Sequence, residues 1–182
     1  MGQGRRRRER PPLDSEKLRE LALAYVGRFA TTRAKLRSYL GRKVRERGWA
    51  GQEAPDVDAI ADRLASLGYV DDAAYALSKS RSLTGRGYGL GRVRQSLRAA
   101  GIGEQDSAPA RAHAEDEKVE SALRFARRRR IGPFAAESAD RDQRQKALAA
   151  MVRAGHGFGL AKAILSLEPG SAIDLESLAE NG

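Results

Sequence analysis

Cysteine is absent from this sequence, which excludes disulfides and thiolate zinc sites and points to a reducing cytoplasm as the natural compartment. Histidine is nearly absent too. His113 and His156 stand far apart, so neither a metal cluster nor a nucleophile–base pair has the residues to build it. Both read as ordinary surface residues, and a non-enzymatic protein without cofactor or metal is expected. Aromatic residues make up only 5% of the chain, which argues for several thin layers filled by Leu and Ala over one large core. Long apolar runs are missing. Nothing approaches the roughly 18 uninterrupted apolar residues of a membrane span, and the basic N-terminus runs into Pro11-Pro12 instead of the apolar stretch of a signal peptide. No membrane association is expected.

What the chain does have is positive charge. It carries 34 Lys plus Arg against 24 Asp plus Glu, a net charge of +10 in 182 residues, so its field attracts polyanions at long range. Nucleic acid or an acidic protein face is the expected partner. With 41% apolar and 32% charged residues, the composition is that of a soluble folded protein. Residues 1–13 include Arg5 to Arg8 and Arg10 and have too little apolar surface to pack, so they read as a disordered basic arm.

Beyond residue 13 the apolar spacing is helical nearly throughout, and no segment alternates in the manner of a strand. An all-α protein follows. Three helices end in glycines at Gly48, Gly101 and Gly155, which suit the left-handed position that stops a helix. One turn before each glycine stands an apolar residue (Val44, Leu97, Met151), and one turn earlier come Leu40, Val93 and Ala147. Leading helices are marked by Leu18, Leu21 and Tyr25, by Tyr75 and Leu77, and by Val119, Leu123 and Ala126. Trailing helices carry Ile60, Leu64 and Leu67 in one case and Leu160, Ile164 and Leu167 in another; after Gly101 the trailing helix is only weakly written. The spacing therefore predicts three tandem three-helix repeats at 14–70, 71–114 and 115–168, with a C-terminal tail at 169–182. Units this small stack on their neighbours, which predicts an elongated, curved, monomeric body. The competing arrangement is one compact helical bundle.

Gly85-Arg86-Gly87-Tyr88-Gly89-Leu90-Gly91 lacks the Lys-Ser or Lys-Thr of a phosphate loop, and no strand precedes it. It reads as a flexible connector, or else as a loop whose backbone and Arg86 approach a partner closely. Asp71-Asp72 reads as the cap of the helix that follows. In the helix of Leu36, Leu40 and Val44, a 100° step puts Lys35, Ser38, Arg42 and Arg45 on the opposite side, while Arg92, Arg94 and Arg98 lie off the stripe of Val93 and Leu97. With the run Arg127 to Arg130, these charges suggest a positive track. Lys35, Arg42, Arg45, Arg86, Arg92, Arg94 and Arg98 are the candidate partner-binding residues. The helices, and not the arm, are expected to carry binding.

The segment Gly68-Tyr69-Val70-Asp71-Asp72-Ala73-Ala74-Tyr75-Ala76 resembles the signature of RecX proteins, in which Gly, an aromatic, an aliphatic residue and two acids lead into a helix with a further aromatic and Ala. Gly68, Tyr69, Asp71, Asp72 and Tyr75 match it in a structural role. Arg33 to Gly48 resembles that family's first middle helix and Gly87 to Ile102 its second, so the likeness spans roughly residues 14–168. Leu90 stands near a usual Pro, and Gly155-His156-Gly157-Phe158 replaces Gly followed directly by Phe. The resemblance implies three tandem three-helix repeats and a regulator of recombination and DNA repair. Such a regulator would lie in the groove of a RecA filament on single-stranded DNA and limit its growth, ATP hydrolysis and strand exchange. Two other readings are a direct DNA-binding helix-turn-helix regulator, using Lys35, Arg42 and Arg45 against a duplex, and a helical scaffold for other proteins.

Overall fold

The computed structural model describes residues 11–180. The arginines of the expected basic arm at positions 5–10 lie outside the described residues. Among these residues ten α-helices and one 3-10 turn account for the regular structure. The only β-type pairing among them is an isolated parallel bridge between Leu13 and Trp49. The chain divides into two compact units, one ending at Asp71 and the other beginning at Asp72.

The first unit holds α1 (Ser15–Val26), α2 (Arg33–Arg47) and α3 (Val57–Ser66). Each helix opens on a side chain that accepts a hydrogen bond from an otherwise unpaired backbone N–H: Asp14 from Lys17, Thr32 from Lys35 and Asp56 from Ala59. Leu18 and Ala22 of α1, Leu36 and Leu40 of α2, and Ala61 and Leu64 of α3 converge on one buried core. Arg37 ties α2 to α3 through Asp58 at 2.7 Å and Asp62 at 2.8 Å. Two expectations need correction. Leu13, read as part of the arm, is fully buried, and its backbone bonds to Gly48 and Ala50 hold it there. Leu67, read as a core residue, is exposed, because α3 ends one residue before it.

The second unit contains α4 (Asp72–Gly85), α5 (Leu90–Ala99), α6 (Glu104–Asp116), α7 (Lys118–Arg129), a 3-10 turn at Gly132–Phe134, α8 (Arg141–Arg153), α9 (Phe158–Ser166) and α10 (Leu175–Glu180). One core gathers Ala76, Leu83, Val93, Leu97, Ala110 and Ala114 from α4, α5 and α6. A second gathers Phe125, Met151, Leu160, Ile164 and Leu178, among others, from α7 to α10. The expected stripe on α4 is shifted: Tyr75 and Leu77 are half-buried, and the buried residues are Asp72, Ala76, Ser80, Leu83 and Thr84. Small side chains on α4 and on α6 (Ser107, Ala110, Ala114) let the two backbones approach, close enough for the Ser80 hydroxyl to donate to the Ala110 carbonyl at 2.8 Å. That same smallness is why α6 is faint in the sequence. The expected tail also contains structure, since α10 buries Leu178 against the second core.

The three helix-ending glycines do take positive φ, at 81° for Gly48, 70° for Gly101 and 95° for Gly155. After α5 and α8 the chain closes with paired bonds, Ile102 N–H to Leu97 and Gly101 N–H to Arg98, then His156 N–H to Met151 and Gly155 N–H to Val152. This double closure satisfies carbonyls the helix leaves open. After α7 the same closure is made with Arg130 at φ 54°, the one non-glycine residue at positive φ among the described residues.

Candidate functional site

Tyr88 sits between α4 and α5, and its placement begins with glycine. The Gly89 N–H donates to the Ala154 carbonyl at 3.0 Å and the Gly91 N–H to the Gly155 carbonyl at 2.9 Å. A Cβ at Gly89 would lie 2.6 Å from the Gly155 carbonyl carbon and 2.7 Å from His156 Nδ1, so only glycine permits this crossing. The stretch expected to be a flexible connector is a packed junction between the start of α5 and the end of α8. His156, expected at the surface, is buried here. Its Nε2–H donates to the Gly87 carbonyl at 3.1 Å, and its ring meets Phe125 edge-on at 5.6 Å. Burial lowers its pKa from the ordinary 6.5, outweighing the opposite pull of the bond to Gly87. His113 is half-buried, with Nδ1 3.3 Å from the Ser80 hydroxyl.

Held in this way, Tyr88 collects three cations. The guanidinium groups of Arg86, Arg92 and Arg128 lie 5.7, 5.9 and 5.9 Å from its ring centre. Each is oriented by a neutral oxygen: Arg86 donates to the Ser82 carbonyl at 3.0 Å, Arg92 to the Gln95 side chain at 2.7 Å, and Arg128 to the Arg86 carbonyl at 2.6 Å. None of the three has an ion pair among the described residues. Arg86, Tyr88 and Arg92 line an open cleft of 430 Å³ together with Lys79 and Gln95, and no carboxylate is among the described residues that line it. Three guanidinium groups around one ring, fixed but not neutralised, leave a local positive charge of the kind that attracts anionic groups.

The candidates from sequence are divided by the structure. Arg86 and Arg92 meet at Tyr88. Arg94 and Arg98 face a separate cleft of 300 Å³ with Arg111, whose charge is matched by Glu104, because Arg92 and Arg94 stand about 200° apart around α5. Lys35, Arg42 and Arg45 are exposed on α2 in the first unit, where Arg42 lies 3.7 Å from Glu46 and Lys43 lies 2.6 Å from the same carboxylate. The family-like segment joins helices: Gly68 closes α3 at φ 77°, Val70 is buried, Tyr69 is exposed, and Asp72 is the first residue of α4. Tyr88, Lys79 and Arg128 were not singled out from sequence. The run Arg127 to Arg130 and the Arg86-Gly87-Tyr88 step were the available signals, but which arginine of the run turns toward Tyr88 depends on packing. No group of His, Asp or Glu among the described residues is arranged to hold a metal ion, and no described helix is long and apolar enough to cross a membrane.

Comparison with known proteins gives two informative relatives. The chain is 34% identical over 160 residues to the regulatory protein RecX of Myxococcus xanthus, covering 84% of this chain and 86% of that one. It is 33% identical over 156 residues to the regulatory protein RecX of Deinococcus radiodurans, covering 82% and 69%. The chain belongs to the RecX family. Among solved structures, RecX from Lactobacillus salivarius superposes with a TM-score of 0.63 at 19% identity, over 82% of this chain and 92% of that one, a likeness of fold alone. A second crystal structure of a RecX regulatory protein gives 0.58 at 26% identity, over 82% and 68%. No protein-family model matches the chain. Membership in RecX makes this chain one of a family of regulatory proteins, and the cleft beside Tyr88 is lined by three cations and no carboxylate among the described residues.

Proposed function

We propose that the protein restrains a RecA filament on single-stranded DNA, limiting filament growth, ATP hydrolysis and strand exchange without chemistry of its own. In this reading the helices form three tandem three-helix repeats, each filling one of the apolar cores, and the cytoplasm is the place of action. The observation that carries it is the carboxylate-free cleft lined by Lys79, Arg86, Tyr88 and Arg92, with Arg128 over the same Tyr88 ring, in a RecX-family chain. A cationic groove of this kind suits the acidic surface of a filament or the phosphates inside it. Arg94 and Arg98 would extend the contact along the other side of α5. The test is the ATPase rate of RecA on single-stranded DNA with substoichiometric protein. A falling rate is expected, and an unchanged rate at equimolar protein contradicts the proposal.

A second reading, direct binding of duplex DNA, draws support from one observation: Lys35, Arg42 and Arg45 are all exposed on α2. Duplex affinity that is lost in the Lys35→Ala, Arg42→Ala, Arg45→Ala triple variant, with RecA activity untouched by the wild type, would favour it.

A further inference from the structure

Away from the Tyr88 cleft, the first unit carries a row of aromatic rings at its surface. Tyr39 of α2 stacks on Tyr25 of α1 with ring centres 4.1 Å apart and planes 16° from parallel. Phe29 continues the row, its ring centre 5.3 Å from that of Tyr25 and its plane tilted 46° to it. Its position is set by the backbone, because the N–H groups of Arg28 and Phe29 both donate to the Tyr25 carbonyl, at 3.1 and 3.0 Å. Phe29 is nonetheless 56% exposed. At the other end, the cationic groups of Arg42 and Lys43 each lie 5.8 Å from the Tyr39 ring centre. In a chain with only four Phe and five Tyr, three of these rings form one row that ends in an exposed residue, Phe29, at one side and cations at the other.

We propose that Phe29, Tyr25 and Tyr39 form a stacking platform for the unpaired bases of single-stranded nucleic acid, with Arg42 and Lys43, two cations that share the one carboxylate of Glu46 and so keep a net positive charge, taking the phosphates. Bases present flat π faces that extend such a row without sequence preference, and a cationic border tracks the backbone. A protein partner fits less well, since the row is bordered by the cations Arg42 and Lys43 at Tyr39 and by the exposed Arg28 next to Phe29, and the centres of protein interfaces are depleted of charge. Duplex DNA fits less well because its bases are already stacked. The inference stands apart from the action on RecA and is tested without RecA.

The full-length chain is titrated against labelled oligo(dT), oligo(U), an abasic oligonucleotide of equal length and a duplex, with thermal melting as the control for folding. Phe29→Ala should weaken binding to oligo(dT), oligo(U) or both by about tenfold, the equivalent of about 1.4 kcal/mol, and which of the two responds assigns the platform to DNA, RNA or both. Phe29→Tyr should retain affinity, and the abasic chain should bind weakly and ignore Phe29→Ala. In Phe29→Trp, emission at position 29 should be quenched on binding. The proposal is overturned if Phe29→Ala binds both oligonucleotides as the wild type does, if abasic and base-bearing strands bind alike, or if the duplex is preferred.

Discussion

The two basic regions of this protein look alike in a count of charges and differ in how those charges are held. On α2, Arg37 is paired with Asp58 and Asp62, and Arg42 and Lys43 share Glu46. Around Tyr88, Arg86, Arg92 and Arg128 are held by two carbonyls and an amide oxygen. A neutral acceptor fixes a guanidinium without cancelling its charge, whereas a carboxylate does both. The α2 face is also made within one helix, while the Tyr88 cleft depends on residues of α4, α5 and α7 and on the crossing of α5 with α8. The difference teaches that uncancelled positive charge is a property of the acceptors, and that the region whose arginines lack carboxylate partners is the one with the greater dependence on tertiary structure.

That dependence can be broken. Gly89→Ala would drive a methyl group into the backbone at Gly155, so it should cost about 1–3 kcal/mol or more and lower the melting temperature. Gly85→Ala, with open space around its Cβ, should be neutral or stabilise by up to about 1 kcal/mol. Equal melting of the two variants would show that the crossing does not hold the cleft.

Acidification should separate the regions next. Burial lowers the pKa of His156 from 6.5, so the folded state favours the neutral ring. Its contribution to stability is complete above about pH 6.5 and is lost as pH falls through the lowered folded value. The melting temperature should therefore fall as the pH is lowered below about 6.5, and part of that fall should vanish in His156→Gln. An identical pH dependence in the variant would remove His156 from the account. Smaller effects should distinguish the inter-helix ties of the two units. Ser80→Ala removes a buried bond between α4 and α6 and should cost about 1 kcal/mol. Arg37→Ala breaks partly exposed pairs and should cost about 1 kcal/mol or less; denaturant titration of both variants checks the order.

How much of this was legible follows the same division. Helix ends at Gly48, Gly101 and Gly155, and the exposed basic face of α2, are local matters of period and backbone conformation, and the sequence pattern carries them. The buried face of α4 was misplaced because Ala76 and Ser80 are chosen for close approach to α6, not for hydrophobicity, and Tyr75 outweighs them in any apolar pattern. His156 and Gly89 were misread because their role exists only where α5 crosses α8, some 65 residues apart in the chain. Arg92, Arg94 and Arg98 look like one patch in sequence, yet α5 points them into two clefts.

The central claim, that the Tyr88 cleft carries regulation and the α2 face does not, is tested most directly by RecA ATPase on single-stranded DNA. Two triple variants are compared at the same substoichiometric ratio, Arg86→Ala with Arg92→Ala and Arg128→Ala, and Lys35→Ala with Arg42→Ala and Arg45→Ala. The account predicts that both variants melt near the wild type, that the first loses most of the inhibition and flattens its salt dependence by about two units, and that the second keeps most of it. Inhibition retained by the first and lost by the second would contradict the account.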